Sequence, residues 1–210
     1  YYGDDITLED VVDQVKNLES GGTLAVFLAC HALRRGYTAK IYTYNLNVFD
    51  PSWFSGAPVD MVTKLRQQMK AKSNMKLHVA SKGYIEFVQN GGEIKFEDLT
   101  TGLIRKYLKR SVPILAGLSA TYLYRTQREH GPNNDWDDIR GVPSGHFVVL
   151  CGYDKKSRNV LIADPLKPNP FSSSHYYEVS IDRVLCSLLL GVLTYDANLL
   201  IINPARHSNR

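Results

Sequence analysis

No run of about 18 consecutive apolar residues occurs in this chain, so no membrane-spanning helix is expected in it. Nothing in it has the layout of a secretory signal, with a charged start, an apolar middle and a small-residue cleavage site. Cysteine is scarce. Cys30, Cys151 and Cys186 are too few and too odd in number for a disulfide framework, and none has metal-ligand spacing. We therefore expect a reducing, cytoplasmic setting and neither a metal nor another cofactor. Charge of one sign is equally sparse, with a net charge of +4 and no Lys/Arg run behind it. Lys70, Lys72 and Lys76, and likewise Lys106, Lys109 and Arg110, read as solvated helix faces, so no nucleic-acid partner is expected. Repeats and low-complexity tracts are lacking too.

What is present is an ordinary globular composition, 44% hydrophobic and 22% charged over 210 residues, long enough to bury a substantial core. The first half is helical in pattern. Thr7-Leu8-Glu9-Asp10 resembles a capping box opening a helix to about Leu18. Leu24 to Arg35 is apolar nearly all round and closed by Gly36, hence a buried helix. A strand is predicted over Thr38 to Tyr44, then an aromatic loop to Phe54, then helices over Pro58–Lys72 and Ser81–Asn90. The second half turns to strands: Glu93–Phe96, Val112–Leu118 with a continuation over Thr121–Arg125, Tyr176–Val179 and Asn198–Ile202. Helices fall over Leu99–Lys109 and Ile181–Leu190, and a polar loop runs from Gln127 to Ser144. Helices gathered first and antiparallel strands after them predict an α+β fold.

The most informative stretch pairs Gly145-His146-Phe147-Val148-Val149-Leu150-Cys151-Gly152-Tyr153-Asp154 with Val160-Leu161-Ile162-Ala163-Asp164-Pro165. Two β-rich runs flank the polar Asp154–Asn159 segment, which reads as a hairpin turn. A turn centred near Lys155-Lys156 brings His146 beside Asp164, on one face of two antiparallel strands. Alone, His146 would be a bonded strand-end histidine, and Asp164-Pro165 a strand stop. Together they form the base and its orienting carboxylate, which is half of a nucleophilic site.

Those segments, taken in order, resemble the papain-like cysteine peptidases that process double-glycine leader peptides in bacterial bacteriocin exporters, and their stand-alone relatives. Tyr1-Tyr2-Gly3 with Ile6-Thr7-Leu8-Glu9 looks like the stretch following the family's cysteine-bearing helix. Gly22-Thr23 and Leu33-Arg34-Arg35-Gly36-Tyr37 look like its second block. Ser144-Gly145-His146-Phe147-Val148-Val149-Leu150 and Ile162-Ala163-Asp164-Pro165 look like its histidine and aspartate motifs, and Leu190-Gly191-Val192 like its C-terminal end. The resemblance implies a papain-like cysteine peptidase fold, with the helical first half packed on an antiparallel sheet, and a peptide or protein substrate. His146 and Asp164 would be its catalytic residues. By the same resemblance, the nucleophilic cysteine and its glutamine companion are expected before Tyr1. Residues 1–210 are read as one domain with an insertion at about 44–90 that covers the substrate.

None of the three cysteines has the setting of a catalytic thiol, which needs a helix N-terminus or a neighbouring imidazolium. Cys151 falls on the face opposite His146 by strand alternation, while Cys30 and Cys186 read as small core residues. Ser20 sits at a helix start and reads mainly as a cap. Candidate substrate contacts are Trp53 in the aromatic loop, Asp135 and Asp137 in the polar loop, and Gly145 beside His146. Each has a plainer role: the aromatic loop packing on itself, and Asp135, Asp137 and Asp138 forming a solvated acidic turn. His31, His78, His130, His175 and His207 show no partner pattern. Two further activities use the same layout, a peptide-recognition domain that has lost its cysteine and an amide-transferring enzyme of transglutaminase type.

Overall fold

A segment apolar on every side must be buried on every side, and the computed structural model buries it: in helix Ala25–Arg34, seven of ten side chains are inaccessible. Residues 1–18 and 22–205 are described, so the expectations for Ser20 and His207 lie outside the described residues. The chain divides into two compact units. The first comprises the described residues of Tyr1–Ile41 and Val48–Lys95 with residues 202–205, and the second comprises Tyr42–Asn47 and Phe96–Ile201.

The first unit opens with helix α1, Leu8–Gln14. Its predicted capping box is formed, the Thr7 hydroxyl accepting from the Asp10 N–H while the Asp10 carboxylate accepts from Thr7. Helix α2 is Ala25–Arg34, and Gly36 at positive φ carries the chain into strand β1, Tyr37–Thr43. Helices α3, Met61–Ala71, and α4, Met75–Gln89, follow, capped by Asp60 and Asn74, and then strand β2, Glu93–Lys95. Helix α4 starts six residues earlier than its pattern suggested, because Asn74 accepts from the Leu77 N–H and holds the extra turns. It packs against α2 at Gly83, where a Cβ would lie 2.8 Å from Phe27 and Val26 side-chain atoms. Within the segment anticipated as an insertion, α4 is thus the helix that packs on α2.

The second unit contains helix α5, Thr101–Leu108, strand β3, Ile114–Ser119, and helix α6, Ala120–Tyr124. A small hairpin of β4, Glu129–His130, and β5, Asp135–Trp136, lies in the polar loop. Then come β6, Gly145–Asp154, β7, Asn159–Ala163, β8, Tyr176–Ser180, helix α7, Ile181–Leu190, and β9, Asn198–Pro204. In this unit the strands run β9-β3-β6-β7-β8, each pair antiparallel. One face carries the core: Leu118, Val148, Leu150, Val160, Ile162 and Val179, with Ile181, Val184 and Leu188 of α7 packed over them. The mixed α+β expectation holds.

Two local expectations do not. Residues 121–125 leave the sheet as α6, because the Ser119 hydroxyl accepts from the Tyr122 N–H as a cap and Thr121 is drawn to Ser144. Cys186 is exposed rather than a core residue, because α7 turns Ile181, Val184, Ser187 and Leu188 inward and leaves 186 on its outer side.

Candidate active site

Pairing across the β6–β7 hairpin is set by two registers. Near the tip Asp154 faces Asn159 and Gly152 faces Leu161, whereas beyond it Leu150 faces Ile162 and Val149 faces Ala163. Cys151 is the extra residue of a β-bulge, exposed, with its thiol against the Leu161 carbonyl at 3.4 Å. The slip decides which way the site faces. Continued past Ala163, the inner register sets Asp164 opposite Val148, and His146, two residues on, shares that face. An unbroken ladder from the tip would have set Asp164 opposite Val149, on the other side of the sheet from His146. The two residues are thus diagonal neighbours rather than directly opposed.

Their side chains meet. His146 Nε2 lies 2.8 Å from Asp164 Oδ1, with the imidazole about a quarter exposed and the carboxylate fully enclosed. The same Oδ1 accepts the Leu166 N–H at 2.9 Å, while Oδ2 accepts the hydroxyls of Tyr124 at 2.5 Å and Tyr177 at 2.6 Å. Position 164 is also fixed through its backbone, since its N–H donates to the His175 carbonyl and its own carbonyl meets His175 Nδ1. Burial alone would push the Asp164 carboxyl upward, but hydrogen bonds from His146, Tyr124, Tyr177 and Leu166 outweigh it and hold the group below its ordinary value. Burial, reinforced by the hydrogen bond to this carboxylate, raises the hydroxyls of both tyrosines, so they remain donors. With Nε2 engaged, the Nδ1 edge of His146 is left for a reacting group.

Tyr124 reaches the carboxylate because α6 begins where β3 ends. Leu118 and Ser119 pair with His146 and Gly145, and the next residue, Ala120, donates its N–H to the Ser144 carbonyl. Ser144 in turn donates its N–H to Thr121 Oγ1 at 3.0 Å. The start of α6 therefore clamps the residues just before His146. The sequence offered no signal for Tyr124, whose segment read as strand. Tyr177 was accessible to reasoning, because inward parity from Val179 on β8 points it at the core.

A cleft of about 320 Å³ opens beside His146, lined also by Tyr124, Glu129, Trp136, Gly145 and Leu166. Gly145 is hemmed in on its other side: a Cβ there would lie 2.0 Å from Asp196 Oδ2 and 2.6 Å from Thr194 Oγ1. Asp137 holds a turn. Its Oδ1 accepts the N–H groups of Ile139 and Arg140, and Oδ2 pairs with the Arg140 guanidinium at 2.6 Å. Those contacts depress its carboxyl to about 2. Asp135 is exposed on β5 opposite His130. In the first unit Trp53 is half-buried and meets the buried Phe49 edge-on, as Phe54 and Tyr84 do. His31 meets Gln14 and His78 the Lys72 carbonyl.

Cys30 is buried in α2, and burial raises its thiol to about 11. Native-state labelling with a thiol reagent should therefore modify Cys186 readily and Cys30 only on unfolding; rapid reaction at Cys30 would contradict the packing of α2. Among the described residues, no group of three or more His, Cys, Asp or Glu side chains is placed to hold a metal ion. Among the same residues, no helix is long and apolar enough to cross a membrane.

Removing one donor from the carboxylate has a predictable cost. Tyr177→Phe should destabilise by about 1.5–3 kcal/mol at neutral pH, the range for a hydrogen bond to a charged group. Because the folded-state value of Asp164 lies below the unfolded value, its contribution is complete above about pH 4. It is lost as the pH falls through the lowered folded value. The urea midpoints of wild type and Tyr177→Phe should therefore converge in acid, and an undiminished gap would show that the charge contributes nothing.

Comparison with known proteins bears on the family of the chain. Among curated proteins none matches significantly. A crystal structure from Bacillus anthracis, described as a C39-like peptidase, aligns at 20% identity with a TM-score of 0.31, over 50% of this chain and 48% of that one. The chain thus spans about half the length of that relative. The profile of the Peptidase_C39 like family matches residues 1–184. With that match taking in most of the chain, the protein belongs to the C39-like peptidase family.

Proposed function

We propose that this protein is a cysteine peptidase acting on peptide amide bonds, with His146 as general base and Asp164 as the residue that orients it. The observation carrying this reading is the 2.8 Å bond from His146 Nε2 to a carboxylate whose other lone pairs are already filled. Held in this way, the imidazole keeps its proton on Nε2 and offers Nδ1 to a thiol. The nucleophile is a cysteine encoded before Tyr1, as in peptidases that remove double-glycine leaders. Its thiol gives the proton to His146 and attacks the carbonyl carbon. The imidazolium then protonates the departing amine, and water releases the acyl group by the same route. The solvent-facing cleft beside His146 suits an extended peptide. We assign the protein to a reducing bacterial cytoplasm, where such a thiol persists.

One experiment tests the reading: expression with the preceding coding sequence, then assay of peptide cleavage and of single-site alkylation. Cleavage that depends on one upstream cysteine and falls with His146→Ala supports it. Cleavage unaffected by His146→Ala would overturn it, and analysis of the products separates hydrolysis from amide transfer.

A second reading, a peptide-recognition domain without catalysis, fits the same site geometry. Cys151 lies on the outer side of its strand, Cys186 on the outside of α7, and Cys30 is buried, so none belongs to the His146 site. If no cysteine is encoded shortly before Tyr1, this second reading stands.

A further inference from the structure

The loop that ends at His146 is folded, and its fold places a charge. Glu129 pairs with Trp136 across the β4–β5 hairpin and bridges to Val142 on its other side. Directly paired residues project to the same face, so the carboxylate and the indole stand side by side. Both line the cleft that contains His146. Trp136 is 57% exposed, a large apolar surface left open beside the dyad. Among the residues lining this cleft, Glu129 alone carries a fixed charge. The nearby guanidiniums are engaged elsewhere, Arg140 with Asp137 and Arg128 with the carbonyls of Asp138 and Ile139. No ion pair joins Glu129 to any described residue.

Building on the peptidase reading, we propose that Glu129 and Trp136 form a subsite for a cationic side chain, lysine or arginine, of the bound peptide. A long aliphatic stem lies along the indole while its charged head meets the ring face and the carboxylate. A partly enclosed carboxylate attracts such a head more strongly than one in open water, because the local dielectric is lower. The neutral lining of Tyr124 and Leu166 leaves nothing to compete for it.

The test is a binding measurement on the chain as it stands, and so does not require turnover. Lysine is moved through each position of a blocked alanine pentapeptide, with norleucine at the same position as the uncharged control, and affinity is read by calorimetry. At one position lysine should bind about 5- to 20-fold tighter than norleucine, the range expected for an ion pair with a cation–π contact. Glu129→Gln should cut that ratio to about 2- to 5-fold, the share a cation–π contact supplies, and Trp136→Ala should weaken both peptides at that position. Equal binding of lysine and norleucine by the wild type, or a preference undiminished by Glu129→Gln, would overturn the subsite and leave the peptide groove in place. Failure of every peptide to bind would remove the groove, and the subsite with it.

Discussion

Asp164→Ala is expected to lower peptide turnover by about 10³- to 10⁴-fold in the protein carrying its upstream cysteine, the scale on which loss of an orienting carboxylate acts. The loss has two parts. His146 would lose the acceptor at 2.8 Å that selects its tautomer, and Tyr124, Tyr177 and the Leu166 N–H would lose theirs. Asp164→Asn separates these parts. An amide oxygen in the Oδ1 place still accepts from His146 and Leu166, and its NH₂ can donate to the two tyrosine oxygens once their hydroxyls rotate away. Asparagine should therefore keep the ring oriented and retain far more activity than alanine. If asparagine were as damaging as alanine, the negative charge rather than orientation would be the main contribution of residue 164. Equal activity of all three proteins would remove the dyad from the mechanism.

The second large effect is steric. Gly145→Ala sets a methyl group where Asp196 Oδ2 would be 2.0 Å away and Thr194 Oγ1 2.6 Å away. The Cβ position follows from the backbone, so relief requires the Asp196 and Thr194 side chains to turn or the backbone to shift. Turning them breaks their mutual 2.6 Å hydrogen bond and that from the Thr194 hydroxyl to the Gly191 carbonyl. Where the strand start itself gives way by about 1 Å, the displacement reaches His146 and costs about a hundredfold in rate. Stability should fall by about 1–3 kcal/mol, as for overpacking a close-packed site. Urea unfolding and turnover measured on the same sample decide the matter. Normal stability with normal turnover would show that 194–196 yields freely and that Gly145 has no steric role beside His146.

The sequence disclosed the hairpin, the dyad and most helices because each rests on local patterns. Apolar alternation marks β6 and β7, the polar Asp154–Asn159 segment marks their turn, and Thr7 with Asp10 marks a helix start. Three features stayed hidden for physical reasons. The change from strand to helix at Ala120 depends on a cap from Ser119 and on Thr121 meeting Ser144, a contact spanning 23 residues. Cys186 lies in an unbroken apolar run, in which hydrophobicity alone does not say which side faces inward. Tyr124 and Tyr177 converge on Asp164 from sequence separations of 40 and 13, and no local pattern encodes that meeting. The candidate site was therefore legible as a pair of residues, but not as the five-member hydrogen-bonded cluster that fixes them.

The extra residue at Cys151 gives the hairpin a tolerance for length change that its neighbours lack. Deleting it would let Leu150 and Gly152 become adjacent while each kept its partner, Ile162 or Leu161, so the inward set and the His146–Asp164 meeting would survive. Adding one residue between Leu150 and His146 has no such outlet and would reverse the side on which the imidazole emerges. Natural variation in the length of this strand should accordingly gather on the tip side of Leu150, and sequences in this lineage should be found one residue shorter there with the site unchanged.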